Sequence, residues 1–171
     1  RDKAYCDLGS ASPHKKEEVA TYIQQAGASF LDGAIMGSMA LYGFKAPILV
    51  AGPTAAEWAT RLQDIGFTIQ CVGEKVGTAS TTKMLRSVFT KGFEALVVET
   101  FYAASTLGVE NLVQDFLADT FDKETFAESV TRYLTSDAIH ASRRVAEVED
   151  VIEVLKGLGI DPIMTEATMR R

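Results

Sequence analysis

The stretch Thr78–Leu107, TASTTKMLRSVFTKGFEALVVETFYAASTL, decides the fold of this 171-residue chain. Before it, apolar residues occur in short runs separated by glycine and proline, whereas from Thr78 onward they follow a helical period of 3.6 residues. The stretch contains no proline and one interior glycine, Gly92, so we expect a single helix about 45 Å long. Such a helix extends beyond one domain. The sequence therefore predicts an α/β part over residues 1–76 and an all-α part over residues 77–171.

The α/β part shows a succession of short strands and helices. Ser12-Pro13 supplies an N-cap and a first-turn proline for one helix, which Gly27 closes. Gly52-Pro53-Thr54 opens a second helix that ends before Gly66. In such layers ligand sites form beyond the carboxyl ends of strands. The predicted strands cover residues 4–8, 30–36, 47–51 and 67–72.

The all-α part is expected to continue with four helices after the long one. Glycine and aspartate residues at 108, 122, 157 and 159 separate them. Apolar residues of the 78–107 helix occupy more than one stripe, which is typical of a helix enclosed by others. Because the residues that follow cannot cover all these stripes, we expect a homodimer. The predicted helices cover residues 109–119, 123–135, 138–158 and 163–170.

Composition excludes several classes of function. A net charge of −6 and a pI near 5.0 have the wrong sign for a protein that binds phosphate backbones, so no nucleic-acid partner is expected. No apolar run approaches the roughly 18 residues needed to span a bilayer, so we expect no membrane partner and a cytoplasmic protein. No group of His, Cys, Asp and Glu has metal-ligand spacing, so no metal is predicted. Cys6 and Cys71 lie in apolar runs and are expected to be free thiols.

The beginning of the chain suggests processing. It starts with Arg1 instead of methionine, and an apolar strand follows almost at once. We expect the chain to be truncated or processed, because a strand placed there normally has further neighbours in a sheet.

Lys83 is the strongest candidate for chemistry. It lies in the first turns of the long helix, shortly after Gly77, and Ser87 shares its face one turn on. A lysine partly desolvated in an interdomain cleft suits proton transfer, because desolvation favours the neutral amine. From spacing alone, a solvated lysine near a helix start explains the same pattern.

Two turns after predicted strands form the other candidate segments. Asp32–Ser38, DGAIMGS, ends a strand in Gly-Ser and leaves backbone N–H groups available to hold a carboxylate. Asp7–Pro13, DLGSASP, places Ser10 just beyond a strand. Ordinary turn and helix-cap chemistry explains either segment equally well.

The order and spacing of these three segments resemble the β-hydroxyacid dehydrogenase family, relatives of 6-phosphogluconate dehydrogenase. Asp7–Pro13 resembles the family's hydroxyl-rich turn beside the nicotinamide, and Asp32–Ser38 resembles its Asp-Ala-Pro-Val-Ser-Gly-Gly substrate loop. Gly77 and Lys83 match a Gly-x5-Lys-x3-Asn pattern at the start of the interdomain helix. The run Ala46–Gly52 is similar to the family's next strand, and Lys83–Gly92 with Pro162–Thr168 is similar to a less characterised subgroup.

This resemblance implies a fold and an activity. The fold is the C-terminal part of a Rossmann-type domain, followed by a helical domain built on the long interdomain helix. The activity is that of an NAD(P)-dependent oxidoreductase, which oxidises a small hydroxy acid or reduces the corresponding carbonyl. Lys83 would be the general acid/base, and Ser10 would lie beside the NAD or NADP cofactor. The substrate-binding residues would be Met36, Gly37, Ser38 and Ser87. A basic residue near the nicotinamide would be His140, Arg143 or Arg144, and the alternative is an Arg pair on a solvated helix.

The departures from the family pattern concern the substrate and the cofactor. Met36 stands where the family has Ser, Ser38 where it has a second Gly, and Ser87 where it has Asn. No Gly-x-Gly-x-x-Gly follows a first strand, so we expect half of the dinucleotide site to be missing and the chain alone to be inactive. The same absence favours the alternative, a non-catalytic helical dimerisation or ligand-binding module. The choice between NAD and NADP, and the identity of the acid, stay open.

Overall fold

The computed structural model describes residues 3–171 and begins with a four-stranded sheet. The helical region that follows it confirms the predicted class, an α/β part succeeded by an all-α part. The strands are β1 Ala4–Asp7, β2 Ser29–Ile35, β3 Ile48–Ala51 and β4 Ile69–Cys71. The helices are α1 Pro13–Gln25, α2 Met39–Tyr42, α3 Ala55–Asp64, α4 Thr78–Leu107, α5 Glu110–Phe121, α6 Phe126–Gly157 and α7 Ile163–Arg170.

The sheet has the order β1-β2-β3-β4, with one antiparallel step in its middle. β1 pairs with β2 in parallel and β3 pairs with β4 in parallel, each pair being connected by a helix. β2 and β3 are antiparallel, with Asp32 opposite Ala51. An antiparallel pair needs no crossover helix, and the connection holds only the single turn of α2 and a 3-10 turn, Gly43–Lys45.

Alternation along β2 divides the core between two clusters. Leu31 joins Val50 and Ile69 in a cluster that α3 covers with its alanines. Ala34 joins Ala51 and Ala79, so this cluster is closed by the first turn of α4. The start of the long helix is therefore part of the core of the α/β part.

Glycines fix both ends of α4. Gly77, directly before it, has a φ of 95°, a left-handed conformation that a side chain would strain. Gly108 follows its end with a φ of 69°. The 30 residues between them form one helix, as the sequence predicts.

The prediction of two helices at 123–135 and 138–158 is wrong. Residues Phe126–Gly157 form a single helix, α6. Thr125 begins it with a capping box, in which its hydroxyl accepts from the Glu128 N–H and the Glu128 carboxylate accepts from the Thr125 N–H. Polar residues such as Ser136 and Asp137 lower helix propensity by only a few tenths of a kcal/mol each, which is too little to end a helix without glycine or proline.

The chain forms two compact units, the first ending at Phe89 and the second comprising Thr90–Arg171. The division falls inside α4. A domain boundary at residues 76 and 77, where the strand pattern ends, stays a prediction.

Both cysteines, Cys6 and Cys71, are free thiols, as expected. Burial raises the pKa of the Cys6 thiol, and the nearby Lys16 ammonium opposes this effect. Among residues 3–171, no helix combines the length and the apolar character that crossing a bilayer requires.

Candidate functional site

Lys83 and Ser10 lie together in the structure. The Lys83 Nζ donates a hydrogen bond of 3.1 Å to the Ser10 Oγ, across 73 residues of sequence. Ser10 is exposed just beyond the carboxyl end of β1, and Lys83 is half-buried on α4. An ammonium and a hydroxyl are thus held at the edge of the sheet where ligands of α/β layers bind.

The turn that carries Ser10 is held by Asp7, the last residue of β1. Its Oδ1 accepts a hydrogen bond of 2.8 Å from the Gly9 N–H. This local bond is the Asx-type turn that aspartate favours after a strand. Ser10 follows directly, so the position of its hydroxyl depends on the Asp7 side chain.

The first turn of α4, which leads to Lys83, is held by Asp32. The Oδ2 of this fully buried carboxylate accepts from the Gly77 N–H at 3.0 Å, the Ser80 N–H at 3.0 Å and the Ser80 Oγ at 3.2 Å. Asp32 lies on β2, so it caps α4 from a distant point in the sequence. A negative charge at a helix N-terminus is stabilised by the unpaired amides and by the helix dipole.

Lys16 connects the two carboxylates. It is completely buried, and its Nζ donates to the Asp7 carbonyl oxygen at 2.6 Å and lies 3.2 Å from the Asp7 Oδ1. The Asp32 Oδ1 is 4.0 Å from the same ammonium. Asp7 and Asp32 are register partners in the parallel β1–β2 pair, so their like charges lie side by side with one cation between them.

The Met36–Ser38 segment continues from β2 into a tight turn. Met36 packs against the cluster of Ala34, Ala51 and Ala79, and its N–H donates to the Pro47 carbonyl at 2.7 Å. A Cβ on Gly37 would lie 2.9 Å from atoms of both Pro47 and Tyr42, so packing alone requires glycine there. Ser38 is exposed at the start of α2, and its hydroxyl makes no capping bond. Binding of substrate by Met36, Gly37 and Ser38 stays a prediction.

Ser87 lies one turn after Lys83 on α4, and its Oγ donates to the Lys83 carbonyl at 3.0 Å. Its hydroxyl proton is therefore engaged within the helix. The oxygen keeps lone pairs with which it can accept a hydrogen bond from a substrate hydroxyl.

The basic candidates of the second unit all lie on α6. His140 is exposed, Arg143 forms an ion pair with Glu147, and Arg144 donates to the Ser136 hydroxyl. A role for one of these residues near a nicotinamide stays a prediction. In the described part of the chain, no three His, Cys, Asp or Glu residues are grouped so that they could bind a metal ion.

Sequence reasoning missed Lys16, Ser80 and the capping role of Asp32. Lys16 lies in a run of charged residues, His14–Glu18, which is typical of a solvated helix face. One signal was available: Asp7 and Asp32 both lie in apolar strands, where a carboxylate requires a partner.

Comparison with known proteins finds a family that the C-terminal part of the chain resembles. Residues 104–171 match the family described as a domain of unknown function, DUF1932. The match is confined to this C-terminal part of the chain. A curated relative from Methanothermus fervidus, an uncharacterized 28.5 kDa protein, is 31% identical over 164 residues, which are 96% of this chain and 62% of the relative. The chain thus spans less than two thirds of this relative's length.

Solved structures extend the comparison over almost the whole chain. A conserved protein of unknown function, described as structurally similar to 3-hydroxyacid dehydrogenases, is 36% identical with a TM-score of 0.62, over 98% of this chain and 63% of that one. A conserved hypothetical protein from Sinorhizobium meliloti is also 36% identical, with a TM-score of 0.59, over 98% and 56%. An imine reductase from Myxococcus stipitatus, solved with NADP+, shares the fold with a TM-score of 0.79 at 22% identity, over 99% and 66%. These findings confirm the resemblance to β-hydroxyacid dehydrogenases.

Proposed function

We propose that this chain supplies the proton-transfer half of an NAD(P)-dependent oxidoreductase of the β-hydroxyacid dehydrogenase type. The substrate is a small hydroxy acid or the corresponding carbonyl compound, and Lys83 is the general acid/base. The observation that carries the proposal is the 3.1 Å contact between the Lys83 Nζ and the Ser10 Oγ at the carboxyl end of β1. The solved imine reductase with NADP+ supports a nicotinamide cofactor for this fold.

The residues present fit the reacting end of a nicotinamide cofactor. Ser10 offers an exposed hydroxyl beside the half-buried Lys83 ammonium, a donor set suited to a hydroxyl or carbonyl oxygen. When bound, the nicotinamide accepts or donates hydride. Gly-x-Gly-x-x-Gly does not occur in residues 1–171, so the proposal assigns the pyrophosphate turn to the rest of a longer protein. We accordingly expect the chain alone to be inactive.

The proposed work of this chain is positioning and proton transfer. In oxidation the neutral amine of Lys83 takes the proton of the substrate hydroxyl and becomes the ammonium, and in reduction the ammonium returns a proton to the carbonyl oxygen. The N–H groups of Gly37 and Ser38 hold the substrate carboxylate, beside Met36. Ser87 accepts a hydrogen bond through the lone pairs that its bond to the Lys83 carbonyl leaves available.

Replacement of Lys83 tests this proposal in the full-length protein. Lys83→Met keeps the aliphatic stem and removes the ammonium, so turnover of small hydroxy acids should fall about 10²–10⁴-fold while cofactor affinity stays unchanged. Lys91→Met, on an exposed lysine of the same helix, is the matched control and should leave turnover unchanged. Nicotinamide absorbance follows the reaction with NAD and NADP. A Lys83→Met protein within threefold of wild type would end the proposed mechanism.

Exposed apolar side chains on the long helices favour a homodimer. Val88 on α4, Phe116 on α5 and Leu134 on α6 are each about 70% exposed. Large apolar side chains left exposed in this way are typical of an interaction site. The proposed partner is a second copy of the chain, with no membrane and no nucleic acid involved.

A further inference from the structure

Asp32 is the buried charge on which the start of α4 depends. Its side chain is 0% exposed, and its Oδ2 takes all three bonds from Gly77 and Ser80. Ser80 precedes Lys83 by three residues, so the two lie about one helical turn apart. A shift of this first turn therefore moves the Cα of Lys83 with it.

The other side of the contact depends on the same cluster. Lys16 holds the Asp7 carbonyl and carboxylate, and Asp7 in turn holds the Gly9 N–H next to Ser10. The Asp32 Oδ1 makes no hydrogen bond within the described chain, and it faces the Lys16 ammonium at 4.0 Å. The Asp32 Oδ1 thus interacts with Lys16 only electrostatically. Through Lys16, Asp7 and Asp32 belong to one charged cluster, which connects to Ser10 by way of Asp7 and to the turn before Lys83 by way of Asp32.

We infer that Asp32 is a positioning residue: acting through the first turn of α4, it sets the Lys83 ammonium against the Ser10 hydroxyl. The importance of this position for catalysis rests on the proposed function, but the position of the Lys83 ammonium itself does not. An ordinary helix cap would add stability only. A positioning cap also determines where a side chain one turn further on can reach.

The test measures the accessibility of the Lys83 amine in the full-length protein, without any substrate. Trace labelling with acetic anhydride, followed by mass spectrometry of peptides, gives the acetylation rate of Lys83 relative to Lys15, an exposed lysine on α1. Ser10→Ala removes the acceptor and should raise this ratio. Asp32→Asn should raise it about fivefold, the equilibrium factor of one lost hydrogen bond.

A matched control exists in the second unit. Glu99 caps α7 as Asp32 caps α4, accepting from the Met164 N–H at 2.7 Å, the Thr165 N–H at 2.9 Å and the Thr165 Oγ1 at 2.6 Å. Glu99→Gln should destabilise the protein and leave the Lys83 ratio unchanged. Ser80→Ala removes one of three bonds to Asp32, so it should raise the ratio less than Asp32→Asn does.

Each outcome decides the matter. A raised ratio in Asp32→Asn with an unchanged ratio in Glu99→Gln supports the positioning role. An unchanged ratio in Asp32→Asn, or an equal rise in both variants, overturns it. If Asp32→Asn does not fold, Ser80→Ala decides in the same way. Failure of the proposed function would show separately, as normal turnover in Lys83→Met with the labelling result intact.

Discussion

Replacing Lys16 with methionine should lower the free energy of unfolding of the first unit more than replacing any exposed lysine does. Lys16 is fully buried, and its ammonium lies within 4.0 Å of three oxygens of Asp7 and Asp32. Methionine fills most of the stem volume but leaves the Asp7 carbonyl without this donor and two neighbouring carboxylates without their cation. Removing one partner from a buried ionic cluster costs about 3–5 kcal/mol.

Urea denaturation with tryptophan fluorescence measures this loss. Trp58, the only tryptophan in the sequence, lies on α3 in the first unit, so its emission reports on that unit. At a slope of about 1.5–2 kcal/mol/M, the expected loss lowers the urea midpoint by roughly 2 M. Lys15→Met is the matched control, because Lys15 is adjacent and exposed.

The result that refutes this reasoning is a small difference between the two variants. If Lys16→Met and Lys15→Met unfold within about 0.5 kcal/mol of each other, the Lys16 cluster contributes nothing beyond surface charge. Because Lys16 and Asp32 share one network, we also expect the double variant Lys16→Met with Asp32→Asn to cost less than the sum of the single changes.

Three further predictions concern α7, the dimer and Ser87. Desolvation raises the pKa of Glu99, but the hydrogen bonds from Thr165 and the Met164 N–H outweigh it and lower this pKa from its ordinary 4.5. The Glu99 carboxylate should therefore stabilise the protein above about pH 4.5, and this stabilisation should be lost as the pH falls further. Urea midpoints followed by circular dichroism should show the loss in wild type and not in Glu99→Gln. Light scattering should give twice the chain mass, and Leu134→Glu should shift the protein toward monomer; a folded wild-type monomer at micromolar concentration would contradict the homodimer. Ser87→Ala should raise the Michaelis constant more than it lowers turnover, because a lost substrate hydrogen bond costs roughly 0.5–1.5 kcal/mol, and an unchanged Michaelis constant would argue against substrate contact.

The sequence predicts those parts of the fold that local signals determine. The bounds of α4 follow from glycines at both ends and from the absence of proline between them. The antiparallel direction of β3 does not follow from such local signals, because it depends on which pairing with β2 the connection between the two strands allows. The continuity of α6 was missed since two polar residues in its middle resemble a break, while the capping box at Thr125 shows only where the helix begins.

The candidate site was likewise predicted only in part. Lys83 and Ser10 were predicted from segments that resemble a family, and the structure places them in contact. The support beneath them was not predicted, because burial of Lys16 is decided by packing between α1 and the sheet and not by its neighbours in sequence. Charged residues in a helix normally face solvent.

The pairing of Asp7 with Asp32 across β1 and β2, with Lys16 between them, also restricts how this protein can evolve. Loss of the cation alone leaves two carboxylates facing each other, and loss of one carboxylate alone leaves an unbalanced charge or a poorly capped helix. A lineage can leave this arrangement only through a destabilised intermediate or by a coordinated change. We therefore expect positions 7, 16 and 32 to vary together among relatives, although they are far apart in sequence.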